Sequence, residues 1–420
     1  MPKVLGIVAE YNPFHKGHLY HLKKSVQLLQ PDYTIAVMSG NFTQRGEPAI
    51  IDKWARTQMA LENGIDVVLE IPTLYACQTA ELFATAAVKI LDQAGIVTHM
   101  SFGSEYHNIK DLDKIAMILA EEPLAFRELL KLNLDKGLSF PLARLKAIQQ
   151  YNSNLQDGSL SSDLIDLILT GSNSILALEY LKTIKKLKST IQPVLIPRLG
   201  SSYNAANMEG EFSSATSIRN AILSGKSWES IASALPDISL KILKASINQG
   251  RGPISLKSFE QLLFGIIRQA SPEEIASWMD VEEGLENRIK RYALECTSIE
   301  EFLSKCKTKR YTYTRLQRVL IHGLLRIKTN DVARFQRRCG PSYLRILGFN
   351  SKATDILKNL KKTSKLPIIT KPAHYYRHKT KDINSMFELD ILASNLYALG
   401  FPNPEQRLGG QEFTQGVLMI

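Results

Sequence analysis

Two histidines stand three residues apart, His15 and His18, with Gly17 between them. They lie in the stretch Tyr11-Asn12-Pro13-Phe14-His15-Lys16-Gly17-His18, where an apolar run gives way to helical spacing at Leu19, Leu22, Val26 and Leu29. That placement suits phosphate chemistry. The free N–H groups of a helix start, and its positive dipole end, attract an anion. Gly17 lets the backbone come close to a ligand. The two imidazoles can donate ring N–H groups to oxygens on which charge builds. Nucleotidyl transfer needs mainly this positioning and charge stabilisation, not a protein nucleophile. Taken alone, the same residues also read as a plain helix cap, so their place in the fold has to decide.

Other residues could complete such a site. Ser213, Ser214, Thr216 and Ser217 offer hydroxyls and N–H groups at a second helix start, with Arg219 just inside it. Arg198 and Arg219 have the two-pronged geometry that clamps phosphate. The alternatives are an ordinary N-cap for the Ser/Thr cluster and a surface ion pair for Arg198. Asn41 and Arg45 flank a loop that could hold a carboxylate, and Asn41 joins His15 and His18 as a catalytic candidate; a structural loop is the competing reading. Glu10 either orients a ribose or metal or pairs with a lysine. His21, one turn beyond His18, is expected to face solvent, and His99 to sit in the core as part of a strand.

The elements that must position these residues alternate. Strands are expected at Val4–Ala9, Tyr33–Met38, Val67–Ile71, Val97–Phe102 and Val194–Ile196, with helical patterns between them. The order βαβαβαβ argues for a parallel sheet covered on both faces, an α/β Rossmann-like fold. In such sheets ligands sit at the carboxyl ends of strands. The polar segments Asn12–His18, Ser39–Gly46, Gly103 and Arg198 all fall there. Residues 199–213 read as a polar loop. Beyond about residue 230 strand patterns are expected to stop, which divides the chain into an ATP-binding catalytic part, 1–228, and a mainly α-helical basic part, 229–420.

Composition narrows the rest. The chain has 420 residues and a net charge of +11, and residues 301–380 alone hold 20 Lys+Arg against three acids. A basic segment on an otherwise neutral-to-acidic body suggests a polyanion partner or a solvated basic face. Lys307, Lys309, Arg310, Arg315 and Arg318 interleave with Tyr311 and Tyr313. Cations neutralise phosphates and tyrosines stack on unpaired bases; core packing is the alternative for the tyrosines. Cys77, Cys296, Cys306 and Cys339 form no CxxC pair and no zinc spacing, so reduced thiols and no metal cluster are expected. No run nears the roughly 20 apolar residues that span a bilayer, and the N-terminus lacks a signal-peptide cleavage site. A cytoplasmic location follows as the default, and no protein partner is implied.

The sequence resembles the HxGH nucleotidyltransferase superfamily and, more closely, the bacterial tRNA(Met) cytidine acetate ligase family. The matches are Gly6 to His18, Met38 to Pro48, Phe102-Gly103-Ser104-Glu105, Phe212 to Arg219, and Thr308 to Leu316. They span nearly the whole chain. The resemblance implies that ATP and acetate give acetyl-adenylate and pyrophosphate. The acetyl group then passes to N4 of the wobble cytidine, position 34, of elongator tRNA(Met), forming N4-acetylcytidine. It implies an ATP site made of Ile7, Val8, Ala9, Glu10, Tyr11, Asn12, Pro13, Phe14, His15, Lys16, Gly17, His18, Leu19 and Tyr20. Gly103, Asn173, Arg198, Ser214 and Arg219 are expected to join it. At Asn173 the family's preceding proline and second asparagine are absent. Mg²⁺ is expected to arrive with ATP, held by phosphates and water. The alternative activity is that of a small-molecule adenylyltransferase acting on a phosphorylated cofactor precursor, and a third is a tRNA-binding module with a degenerate nucleotide site.

Overall fold

The run Val4–Ala9 forms β1 because its side chains are apolar on both sides of the strand, and the strand is buried along most of its length. Tyr33–Ser39 (β2), Val67–Ile71 (β3), His99–Ser104 (β4) and Gln192–Pro197 (β5) follow, with helices between them. The computed structural model describes residues 2–155, 160–198, 212–337, 340–375 and 381–420. The loop expected at 199–213 and Cys339 therefore lie largely or wholly outside the described residues.

The strand order is β5-β4-β1-β2-β3, all parallel, as the α/β reading requires. From β1 the chain steps outward to β2 and β3, then crosses back to place β4 on the other side of β1. The connections after β1 and β4 thus diverge, and a crevice opens at their carboxyl ends, the usual ligand position in a doubly wound sheet. Alternate residues serve two cores. Ile35, Val37, Val67 and Leu69 face one layer, and Ala36, Met38 and Val68 face the other.

The expectation that strands stop near residue 230 is corrected. Leu344–Phe349 forms β6, which pairs antiparallel with β3; the two-residue strands Ile368–Ile369 (β7) and Leu418–Met419 (β8) pair with β6. The remainder is helical, including Leu285–Glu295, Tyr313–Leu325 and Lys381–Ala398. A single mostly apolar six-residue segment interrupted by Arg345, among helices, has no periodicity that separates it from a short buried helix.

This junction holds a buried charge network. Lys53 Nζ contacts both carboxylate oxygens of Glu70, at 2.6 and 2.8 Å, and also Glu412. Arg345 lies 3.5 Å from Glu412 and donates to the carbonyls of Ile369 and Thr370. Asp390 accepts from the backbone N–H of Thr73 and from the Tyr343 hydroxyl. All five charged groups are at most 1% exposed. Burial would lower the Lys53 ammonium, but Glu412 and Glu70 overcome it and raise the value. Burial pushes the Glu70 carboxyl up to about 7.

A second junction is steric. Residues 42–48 form a tight hairpin with Phe42 bridged to Pro48. At its tip Gly46 has φ +78, and a Cβ there would stand 2.2 Å from the backbone nitrogen of Arg318. Only glycine allows this hairpin to press on the helix Tyr313–Leu325.

Candidate active site

His15 caps the helix Lys16–Leu29. Its Nδ1 accepts from the Gly17 N–H at 3.0 Å, and its own N–H donates to His18 Nδ1 at 3.3 Å. With both Nδ1 atoms used as acceptors, each neutral ring carries its proton on Nε2. The rings stack with centroids 3.7 Å apart, and Tyr11 and Phe14 pack around His18. Burial, then the charges of Arg198 and Arg219, lower His15 to about 3. Burial, then His15 and Arg198, lower His18 well below its usual value. Both therefore act at neutral pH as fixed neutral donors. That is the form that stabilises developing charge without needing a proton from solution.

Gly17 is required by this geometry. A Cβ on it would lie 2.7 Å from His15 Cε1. Gly17→Ala is expected to swing the His15 ring out of the cap and lower turnover by about 10²-fold, the usual scale for losing one oriented donor. Its thermal midpoint should stay within a few degrees of the parent. Steady-state kinetics and a melting curve on the same preparation check this.

Depressed histidines also set a pH dependence. Between pH 6.5 and the folded value near 3, the unfolded chain binds a proton at His15 that the folded chain refuses. Stability is therefore full above pH 6.5 and falls as the pH drops below it, by up to about 1.4 kcal/mol per pH unit for one such group. Urea denaturation at pH 7.5, 6 and 5 should show this slope, and His15→Asn should make it shallower by that one group's share, with His18 still contributing.

The other wall comes from β4 and β5. Glu105 accepts from the backbone N–H groups of Asn173 and Ser174, at 3.2 and 2.8 Å, and so caps the helix Ser172–Lys186. Its Oε1 also accepts from Asn173 Nδ2 at 2.6 Å, while Asn173 Oδ1 accepts from Arg198 at 3.2 Å. The Phe102-Gly103-Ser104-Glu105 segment thus orients Asn173 and, through it, Arg198. Across the crevice Ser214 caps the helix Ala215–Leu223, and Arg219 donates to the Asn12 carbonyl at 3.1 Å and to Glu47 at 2.7 Å. Glu10 reaches in from the end of β1, where it accepts from the Gln44 N–H at 2.7 Å; burial raises its carboxyl. Buried Arg56 donates to the carbonyls of Glu10, Ser39 and Gly40, and so fastens the ends of β1 and β2 together.

The structure brings most of the expected nucleotide residues into one cleft. Ile7, Val8, Ala9, Glu10, Tyr11, Asn12, His15, Gly17, His18, Tyr20, Gly103, Asn173, Arg198, Ser214 and Arg219 line it. Phe14 and Leu19 turn instead to the core, and Pro13 and Lys16 are not among the lining residues. Gln44, Phe83, Leu176, Tyr180 and Ile196 line it without having been expected. They are apolar, phenolic or amide groups whose positions depend on long-range packing. His21 also lines the cleft and does not face solvent as expected.

Asn41 is corrected. It is 2% exposed and is not a lining residue. Its Oδ1 accepts from the Lys53 N–H at 2.8 Å and its Nδ2 donates to Ser394 at 3.3 Å. Both ends of the amide serve the buried charge network. Arg45 donates to Ser172 at 3.4 Å.

The basic segment divides in the same way. Tyr311 is buried with its hydroxyl on the Glu283 carbonyl, and Arg318 is ion-paired with Asp280 at 2.7 Å. His322 is fully buried between the carbonyls of Cys77 and Met279. These build the fold: Arg318 is corrected as a nucleic-acid contact, and for Tyr311 the core-packing alternative holds. Lys307, Lys309, Arg310 and Tyr313 are exposed, and Arg315 is half-buried against Asp280 and Glu282. Among the described residues no single helix is long and apolar enough to cross a membrane.

A histidine pair at a helix start, below the switch point of a parallel sheet, matches known proteins along the chain. The HIGH Nucleotidyl Transferase family matches residues 2–412. The tRNA(Met) cytidine acetate ligase of Acetivibrio thermocellus is 43% identical over 100% of both chains. That of Thermoanaerobacter sp. X514 is 46% identical over 99% of this chain and 100% of its own. The chain belongs to the tRNA(Met) cytidine acetate ligase family. Among solved structures, apo Thermotoga maritima TmcAL superposes with a TM-score of 0.96 at 40% identity, covering 100% of this chain and 99% of that one. The same protein bound with alpha-thio ATP gives 0.93, also at 40% identity and with 99% of each chain covered. The fold of this chain thus matches that of the Thermotoga protein over essentially its whole length.

Proposed function

We infer that this chain is an ATP-dependent tRNA(Met) cytidine acetate ligase. The observation that carries this reading is the cleft itself: two neutral Nε2–H donors on a helix start, faced by Arg198 and Arg219. It occurs in a chain matched end to end by ligases of that name. ATP binds in this cleft; that the Thermotoga relative is known in a form bound with alpha-thio ATP supports the nucleotide. The nucleotide enters as its Mg²⁺ complex, with the ion held by phosphates and water.

In the first step an acetate oxygen attacks the α-phosphorus and the bond to pyrophosphate breaks. His15 and His18 hold the phosphate oxygens on which charge accumulates, and the arginines hold the departing pyrophosphate. In the second step the N4 amine of cytidine 34 attacks the acetyl carbonyl, AMP leaves, and the amine loses a proton. Residues 1–228 carry the adenylation and 229–420 hold the RNA. A small-molecule adenylyltransferase would leave the basic segment without a task. Acetate-dependent exchange of pyrophosphate into ATP, measured without tRNA, tests the first step; no exchange with acetate would refute it.

The exposed Lys307, Lys309, Arg310 and Tyr313, with Lys361, Lys362, Lys365 and Lys371, are the tRNA surface of this reading. If about six of these cations neutralise phosphates, affinity should fall about 10³-fold between 50 and 200 mM salt. Filter binding with elongator tRNA(Met) measures it, and a flat response would remove the assignment.

A further inference from the structure

His21 lines the nucleotide cleft, yet its Nε2 is buried and has no hydrogen-bond partner among the described residues. Buried polar atoms in folded proteins are bonded in the large majority of cases. A ring nitrogen left over inside a ligand cleft therefore points to the ligand. Asn12 Nδ2, beside the same cleft, is a second orphan of this kind.

His21 is also held firmly. It sits three residues after His18, so the two rings are neighbours on one face of the helix Lys16–Leu29. Its carbonyl accepts from Ser25 Oγ at 2.8 Å, and that oxygen in turn accepts from the Ser101 hydroxyl of β4 at 2.9 Å. This turn of the helix is thereby fixed against the strand that carries Gly103. His15, His18, His21 and Arg198 all line this one cleft, and the arginine's charge acts on all three rings.

We propose that His21 is a third imidazole contact of the adenylation site, donating its Nε2–H to a phosphate oxygen of ATP. The proposal rests on the ATP-binding reading above. It extends the donor row from two rings to three, along one helix and facing one arginine.

Three variants test it. Glutamine places an amide N–H where Nε2 stands; asparagine is too short to reach; leucine fills the space without a donor. His21→Gln should keep the KM for ATP within about threefold of the parent. His21→Asn and His21→Leu should raise it about 10- to 100-fold, the scale of one hydrogen bond to a charged group. The KM for acetate and the melting temperature should not change. Equal loss in all three variants together with a lowered melting temperature would make His21 a packing residue and overturn the proposal. So would wild-type kinetics in His21→Leu. Repeating the series with 2′-deoxy-ATP and 3′-deoxy-ATP separates phosphate from ribose: a penalty that persists with both supports the phosphate contact, and one that vanishes with either overturns it. The parent's own acetate-dependent exchange is the control. If it is absent, the ligase reading fails; if it is present and the variants are silent, only the role of His21 fails.

Discussion

Replacing His15 or His18 by alanine should lower acetate-dependent pyrophosphate exchange by about 10²- to 10³-fold each, while tRNA affinity stays within about twofold. The magnitude is that of removing one preorganised donor from a site where charge develops. Each ring is neutral, buried, and fixed by a backbone N–H on its Nδ1. The effect should fall on kcat more than on the KM for ATP, because the donors matter most when charge peaks. The double variant should lose less than the product of the two, since the stacked rings hold each other in place. A loss confined to KM would place both histidines in ground-state binding alone. Loss of tRNA affinity as well would mean that the cap, not the chemistry, was destroyed.

The second large effect concerns stability. Lys53→Met should destabilise the chain by about 3 to 5 kcal/mol, because it leaves Glu70 and Glu412 buried beside each other without their shared cation. Lys53→Met combined with Glu70→Gln should recover a substantial part of that loss. Urea denaturation of the two variants checks it, and equal stability of single and double variants would show that the pair carries no uncompensated charge. Asn41 and Ser394 are tied into the same network, so the single variant should also loosen the loop after β2. A fall in exchange activity greater than the unfolded fraction accounts for would report this.

The parts of the site that are local in sequence were legible there. The run Val4–Ala9, the glycine between two histidines, and the helix start that falls among them lie within 15 residues of one another. Hydrophobic period and cap chemistry suffice to place such a segment. Gly103 and Arg198 followed because strand ends in a doubly wound sheet converge, and Ser214 followed from its place at a helix start. What stayed hidden depends on partners far along the chain. Asn41 read as a catalytic amide because nothing in its loop reveals that Lys53 and Ser394 claim both ends of the side chain. His21 read as exposed because helical spacing alone does not tell which face β4 and β5 cover. Arg318 carried the signal of a basic surface, yet Asp280 takes it into the interior. The antiparallel strand β6 is one hexamer with an arginine in it, and its pairing with β3 joins residues about 280 positions apart.

The central claim is that a carboxylate activated in the histidine cleft is delivered to an RNA base. Incubating the protein with labelled acetate, ATP and unmodified elongator tRNA(Met), then digesting the tRNA to nucleosides, tests it most directly. Label is predicted in N4-acetylcytidine at position 34, dependent on ATP and lost in His15→Ala and His18→Ala. Label in no nucleoside, although acetate supports pyrophosphate exchange, would contradict the claim.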